Sequence, residues 1–204
     1  MIKPSTSIRI PAPADDLCLT FANTRYWRGK PVPTETLSNR ADLMRWIGQE
    51  IGLDEGVARG LMPEAPSAFQ EAIGLREMIH GLFVQAAGSG VIGAAVLAEL
   101  NAALWRAPKR EVLSVIGRDR GWAVVTDGPA VTTLLAAVLW SAGDLLLGPR
   151  SARVRQCDNP VCGWLFLDDS KSGNRRWCAM SACGNRAKAH RHYEKRKLRA
   201  AEAS

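Results

Sequence analysis

The amino-acid sequence predicts an α+β protein. It consists of a mainly helical N-terminal domain with a few strands, followed by a small C-terminal module built around four cysteines. Apolar residues recur at helical spacing in several segments of residues 1–149, and a β-branched hairpin pattern interrupts them. Four of the 5 cysteines fall in residues 153–199. The net charge of +7 is also confined to the last quarter of the chain.

The composition is that of a globular protein. Of the 204 residues, 47% are hydrophobic and 23% are charged, which allows a sizeable core and argues against wholesale disorder. The N-terminal stretch lacks the apolar segment of a signal peptide. The most apolar stretch, residues 130–148, contains Asp144, so its uncharged run is too short to span a bilayer. We therefore expect a cytoplasmic protein with no membrane partner, whose thiols stay reduced.

The first third of the chain contains one predicted strand and one predicted helix. In the stretch LCLTFA, residues 17–22, larger and smaller side chains alternate, which predicts a strand buried on both faces. Residues 26–37 are rich in proline and glycine and predict a loop. Apolar residues at helical spacing after Ser38 predict a helix that ends near Gly52.

Two further helices are predicted before residue 110. Ser67 and Gln70 have the spacing of a capping box, and the apolar stripe behind them predicts a helix that ends near Gly88. Residues 92–107 predict a third helix, which Pro108 closes.

A hairpin and a long helix complete the predicted N-terminal domain. Residues 111–128 contain two β-branched runs around a polar turn with a glycine, which predicts a hairpin. Asp127 and Pro129 open a long apolar helix, and Gly148 with Pro149 stops it. We therefore predict a boundary after residue 149.

The four C-terminal cysteines have the spacing C-x4-C-x15-C-x4-C, which is typical of a structural zinc site. Zn²⁺ accepts four thiolates in tetrahedral geometry, and the remaining residues are too few to fold on apolar burial alone. The binding energy of one structural Zn²⁺ would then be folding energy. The predicted ligands are Cys157, Cys162, Cys178 and Cys183.

Other roles for these cysteines fit less well. Disulfides need an oxidising compartment, and a redox dithiol is usually C-x-x-C. A catalytic zinc keeps an open position, whereas four thiolates fill the coordination sphere. Cys18, which lies in an apolar stretch, is interpreted as a buried structural residue.

The order of elements around the cysteines predicts a treble-clef-like module. CDNPVCG, residues 157–163, has the residues of a tight zinc knuckle. Residues 164–168 and 174–178 predict the two strands of a hairpin. Ser181 can cap a helix that places Cys183 in its first turn, where the helix dipole favours the thiolate.

The positive charge is concentrated in this module. Residues 1–152 contain 15 Lys/Arg and 15 Asp/Glu, whereas residues 153–204 contain 12 Lys/Arg and 5 Asp/Glu. Such asymmetry indicates a neutral domain joined to a module that meets a polyanion. The alternative is a basic face that is merely solvated. A four-thiolate zinc site is formally −2, so Arg175, Arg176 and Arg186 could instead compensate the metal cluster.

The last helix would present its cations as a stripe. When residues 183–199 are projected as a helix, the basic side chains gather on the face opposite Cys183. Like charges at i, i+4 destabilise a helix, which favours a compensating anion such as a phosphate backbone. The residues of this stripe are Lys188, Arg191, His192, Lys195 and Arg199.

Residues 153–195 resemble the CGNR zinc-finger domain of bacterial proteins, through the segments RRWC and CGNR and the intervening aromatic-Leu-Asp-x-Ser pattern. The upstream region is similar to the ABATE domain, through LCLTFANT, LREMIHGLF and LNAAL. Thr20 stands where the family more often has an acidic residue. The resemblance implies a stress-linked transcription regulator with zinc at the four cysteines and DNA contact through basic residues.

We therefore predict a transcription regulator rather than an enzyme, in which the N-terminal domain senses a small-molecule or protein effector and the zinc module binds DNA. One short helix contacts few base pairs, so specific recognition calls for a homodimer. The predicted nucleic-acid contacts are Arg175, Arg176, Arg186, Lys188, Arg191 and Lys195.

Two alternatives remain open from the sequence. Zinc modules with basic helices also bind RNA. The N-terminal domain could instead be an enzyme in which Asn23, Arg25, Glu77 and His80 converge, although it contains no G-x-S-x-G, P-loop, GxGxxG or HExxH motif.

Overall fold

The computed structural model of the chain describes residues 6–189 and Tyr193, and it has the predicted α+β architecture. The helices are α1 (Leu17–Ala22), α2 (Arg40–Trp46), α3 (Glu55–Leu61), α4 (Ser67–Ala87), α5 (Ala94–Arg106), α6 (Val131–Leu134) and α7 (Ala136–Leu147). The strands are β1 (Thr6–Pro11), β2 (Arg25–Tyr26), β3 (Thr34–Glu35), β4 (Val112–Ile116), β5 (Asp119–Thr126), β6 (Val154–Gln156) and β7 (Leu165–Leu167). The π-helical turn Met180–Gly184 leads into a helical segment at residues 185–189.

Helix α4 lies in the middle of the molecule. It packs against α1, α5 and α6 on the N-terminal side and against β6 and β7 of the cysteine module. Its residues Ile79, Leu82 and Phe83 are fully buried. Burial of each such side chain contributes roughly 1.5–3 kcal/mol, so this helix anchors the hydrophobic core.

A three-stranded antiparallel sheet in the order β1-β5-β4 covers another side of the core. The pairing places Ile10 opposite Trp122 and Ile8 opposite Val124, so the apolar residues of β1 and β5 share one face. The β4–β5 turn contains Gly117 at φ 61°, a left-handed conformation that glycine adopts without strain. The predicted hairpin is therefore confirmed.

The predicted helix ends near Gly52 and Gly88 are also confirmed. Helix α2 continues through the π-helical turn Ile47–Ile51, and Gly52 stops it in the left-handed conformation at φ 71°. Helix α4 ends at Ala87, directly before Gly88. The third predicted helix is α5, which ends two residues before Pro108.

The prediction of a strand at residues 17–22 is wrong, because this stretch is helix α1. All of its residues except Thr20 are buried, so the stretch has no polar face that would reveal its period. Periodicity alone cannot separate a short buried strand from a short buried helix. The sheet partner at this end of the chain is instead β1, which we did not predict.

Two other local predictions need correction, and one further helix was not predicted. The capping box at Ser67 does not form, since α4 begins after Pro66 without a side-chain cap. The long helix is divided at Leu135, whose ψ of 18° departs from helical geometry, and the Thr132 hydroxyl on α6 donates to the Arg106 carbonyl at the end of α5. Helix α3 was not predicted, although the Asp54 carboxylate caps it.

The second strand of the predicted C-terminal hairpin is absent from the described residues. Strand β7 pairs with β6, which precedes the knuckle, so the first two cysteines lie in the connection of a β6–β7 hairpin. The backbone of residues 174–178 is held by other bonds, among them the Asp158 N–H that donates to the Arg176 carbonyl at 2.9 Å. The treble-clef classification therefore stays a prediction.

Within the described part of the chain, none of the helices combines the length and the hydropathy that crossing a bilayer requires.

Candidate metal centre and basic surface

The four C-terminal cysteines converge on one point. Their Sγ atoms all lie within 4.8 Å of one another, and Sγ of Cys178 lies 3.8 Å from that of Cys162 and 3.7 Å from that of Cys183. A tetrahedral site with zinc–sulfur bonds of about 2.3 Å has sulfur–sulfur edges of about 3.8 Å. The donor set and its spacing therefore fit one structural Zn²⁺.

The surroundings of the thiols favour a bound cation. Burial raises the pKa of Cys162, and it raises the pKa of Cys178 to about 12. Burial also opposes ionisation of Cys183, but the Asn159 amide, which donates to its Sγ at 3.5 Å, helps to hold the pKa of that thiol below its usual range. Clustered thiols do not all ionise by themselves, and a divalent ion supplies the missing positive charge.

Backbone hydrogen bonds shape the knuckle between the first two cysteines. The Cys162 N–H donates to the Asn159 carbonyl at 2.9 Å, and the Val161 N–H donates to the Asn159 side chain at 3.2 Å. Gly163 follows in the left-handed conformation at φ 71°. These contacts form the tight turn that the Asn-Pro pair and the following glycine predict.

Asp168 organises the loop between the cysteine pairs. Its side chain is fully buried, and its carboxylate accepts hydrogen bonds from the Ser170 hydroxyl at 2.5 Å and from the Arg175 N–H at 2.8 Å. This explains the Asp-x-Ser part of the motif, because the carboxylate fixes the path of the chain toward Cys178.

The last cysteine lies at the start of a helical segment, as predicted. Cys183 is buried within the π-helical turn Met180–Gly184. The residue at the N-cap is Ala179, and no side chain caps the turn, so the predicted capping role of Ser181 is wrong. The first turn still positions the thiol beside the other three.

The N-terminal part of the chain holds the knuckle through a set of hydrogen bonds that we call the knuckle contact. The buried Asn23 side chain donates to the Leu165 carbonyl at 2.8 Å and accepts from the Leu165 N–H at 3.0 Å. His80 Nε2 donates to the Gly163 carbonyl at 2.9 Å. The N–H groups of Arg28 and Gly29 donate to the carbonyls of Cys162 and Val161, each at 3.3 Å.

A charged network supports the knuckle contact from behind. Arg76, whose side chain is only 1% exposed, makes a bidentate pair with Glu35 at 2.6 and 2.7 Å and also contacts Glu77 at 2.9 Å. Glu77 in turn binds Arg28 at 2.6 Å. Burial would raise the pKa of Glu77, but Arg28 and Arg76 outweigh it and hold that pKa below its usual range.

Three of the four residues considered for an enzyme site, all except Arg25, are occupied by structural contacts. Asn23 binds the Leu165 backbone, Glu77 binds two arginines, and His80 binds the Gly163 carbonyl. Burial lowers the pKa of His80, so its neutral form is favoured. Cys18 is also buried, and burial raises its pKa to about 12, which agrees with a structural role.

The predicted nucleic-acid contacts differ in their surroundings. The Arg175 guanidinium donates to the carbonyls of Trp177 and Cys178 and lies 4.6 Å from the centre of the Phe166 ring. Arg176 pairs with Asp158 at 2.5 Å. Arg186 and Lys188 are exposed beyond Cys183, while Arg191 and Lys195 lie outside the described residues.

The geometry defines a class of protein, in which a four-cysteine zinc module is fixed to an α+β core. Residues 15–149 match the ABATE family, whose description is "Putative stress-induced transcription regulator". Residues 153–196 match the CGNR zinc finger. The chain therefore belongs to the ABATE family and carries a CGNR zinc finger after that domain. The two matches confirm the resemblance seen in the sequence. No curated protein matches it.

Sequence reasoning missed the part of the basic surface that comes from the N-terminal region. Lys30 Nζ and the Arg186 guanidinium each lie 4.5 Å from the centre of the Trp27 ring. The signal was present in the loop stretch WRGK, which places a tryptophan directly before two cations. Its distance in sequence from the cysteines concealed the connection.

Proposed function

We propose that this chain is a cytoplasmic regulator that binds DNA through its zinc module and receives an effector at its N-terminal region. The observation that carries the proposal is the location of charge. The excess of positive charge lies in residues 153–204, and Arg186 and Lys188 are exposed in the helical segment that follows Cys183. Cations placed on a helix that a metal anchors can neutralise DNA phosphates in a fixed register.

The knuckle contact supports a link between effector and DNA. Asn23 contacts the module at Leu165 and His80 contacts it at Gly163; Asn23 directly follows α1, and His80 lies in α4. An effector that shifted α1 or α4 would therefore move the knuckle. Regulation of this kind requires that the effector bind the two arrangements with different affinity.

Selection of bound sequences from a random duplex pool tests DNA binding and specificity together. The zinc-loaded chain should enrich a motif, and a palindromic motif would indicate a homodimer. In a gel-retardation assay, structured RNA of equal length should compete less well than duplex DNA. Preferential binding of the RNA would mean that the ligand is RNA rather than DNA. If the chain binds neither nucleic acid, the proposal is refuted.

Paired variants locate the surface. Arg186→Gln with Lys188→Gln removes two exposed charges of the zinc module, and Lys109→Gln with Arg118→Gln removes two exposed charges of the loops that flank β4. The first pair should lower the magnitude of the salt slope by about two, while the second pair leaves it unchanged. Equal effects of both pairs would mean that binding follows net charge alone.

A further inference from the structure

Trp27 and Lys30 bring the N-terminal region to the basic side of the zinc module. The Trp27 ring is half-buried, and it receives the Lys30 ammonium and the Arg186 guanidinium at 4.5 Å each. Both cations are exposed to solvent. We call these three residues the composite patch, because two distant parts of the chain form it.

The loop that carries Lys30 is fixed to the zinc knuckle. The N–H groups of Arg28 and Gly29 donate to carbonyls of the knuckle, and a Cβ atom at Gly29 would lie only 2.5 Å from the Pro160 carbonyl oxygen. Glycine is therefore required for this close approach. The position of Lys30 relative to the zinc site is consequently set by backbone contacts rather than by a flexible loop.

Backbone strain marks the same position. Trp27 adopts φ 53°. Among the residues that the structure describes, it is the only non-glycine residue with a positive φ. Bulky residues rarely adopt this conformation, and it persists where surrounding contacts impose it. Here the strained backbone turns the tryptophan ring toward the zinc module, where it packs against the cysteine cluster.

A cleft of about 470 Å³ opens beside the composite patch. Arg186 lines it together with Trp177, Pro160 and Val161, and the last two residues also hold Gly29. The acidic group at this cleft, Asp158, is paired with Arg176 at 2.5 Å. The cleft therefore places an aromatic wall next to an exposed cation at the edge of the composite patch.

We propose that the nucleic-acid surface is composite, and that Lys30 neutralises a phosphate of the same DNA that Arg186 contacts. This inference rests on the proposed function and adds a residue of the N-terminal region to the interface. The partner is duplex DNA, since Lys30 and Arg186 lie on a surface that backbone contacts fix, and such a surface suits the regularly spaced phosphates of a duplex.

Lys30→Gln tests the composite patch on the zinc-loaded full-length chain. The variant should lower the magnitude of the log–log salt slope by about one, because one phosphate contact is lost. One released counterion corresponds to about an eightfold change in affinity between 1 M and 0.1 M salt. Lys109→Gln is the matched control, since it removes the same charge from another exposed loop, and Lys30→Arg should retain the wild-type slope.

The outcomes separate this inference from the proposed function. If the wild type binds DNA but Lys30→Gln behaves like Lys109→Gln, the composite patch is wrong and the proposed function stands. If the wild type binds no DNA, both are wrong. Zinc content and the circular dichroism spectrum of each variant show that the fold is intact, and Lys30 is exposed, so the substitution leaves the core unchanged.

Discussion

Asn23 makes the most direct single-residue connection between the core and the zinc module. Its buried amide hydrogen-bonds to both the N–H and the carbonyl of Leu165. This one side chain therefore makes the two hydrogen bonds that a neighbouring strand would otherwise make to Leu165. Buried polar groups without partners are costly, which makes this position sensitive to substitution.

Asn23→Ala should lower the free energy of unfolding by about 2–4 kcal/mol, because two buried backbone groups lose their partners. Chemical denaturation measures the change. Asn101→Ala on the exposed face of α5 is the control and should have little effect. A variant as stable as the wild type would show that water or a neighbouring group replaces the amide.

His80 should make stability depend on pH. Its pKa is lowered mainly by burial, with smaller contributions from Arg28 and Arg76, although the hydrogen bond to the Gly163 carbonyl and the charge of Glu77 oppose this shift. Because the unfolded chain binds the proton more readily, the stability contributed by neutral His80 is present above the ordinary histidine pKa and is lost as the pH falls below it. His80→Gln should flatten the unfolding free energy between pH 7 and pH 5, and an unchanged slope would contradict this assignment.

At the level of elements, the sequence predicted the helices, strands and sites whose hydrophobic residues have a clear period or whose ligands have a fixed spacing. The helices around Ile79 and Leu100, the β4–β5 hairpin and the cysteine cluster all follow from such patterns. The strand predicted at residues 17–22 failed because a stretch that is buried except at Thr20 has no polar face. The pairing of β6 with β7 and the contact of Trp27 with Arg186 depend on packing between distant segments, which spacing along the chain does not encode.

The zinc site is the element whose loss should be most visible. Metal analysis should give one zinc per chain, and Cys178→Ser should release it, since a hydroxyl is a poor replacement for a thiolate. Cys18→Ala is the control and should keep the metal, because Cys18 lies in the main core. Retention of zinc by Cys178→Ser would refute the four-thiolate site.

On the scale of the whole molecule, the two family segments share one hydrophobic core. Val154, Leu165 and Leu167 of the zinc module are buried together with residues of α1 and α4. The module also has its own small cluster, in which Phe166 packs near the cysteines. Removal of the module therefore exposes apolar surface on the N-terminal region.

A chain that ends at residue 149 should be less stable than the full-length protein. Loss of three buried aliphatic side chains corresponds to roughly 4–9 kcal/mol of apolar burial as an upper estimate. Removal of zinc from the full-length chain by a chelator should also lower the midpoint of thermal unfolding. Equal midpoints for the truncated, the metal-free and the zinc-loaded forms would show that the segments fold independently.

The salt dependence of duplex DNA binding by the zinc-loaded full-length chain tests the proposed function most directly. If three to five cations of the zinc module and the composite patch contact phosphates, the log of the binding constant should fall with the log of the salt concentration at a slope of about −2.7 to −4.5. The metal-free chain should lose this binding. A slope near zero, or equal binding with and without zinc, would contradict the assignment of this module as a DNA-binding surface.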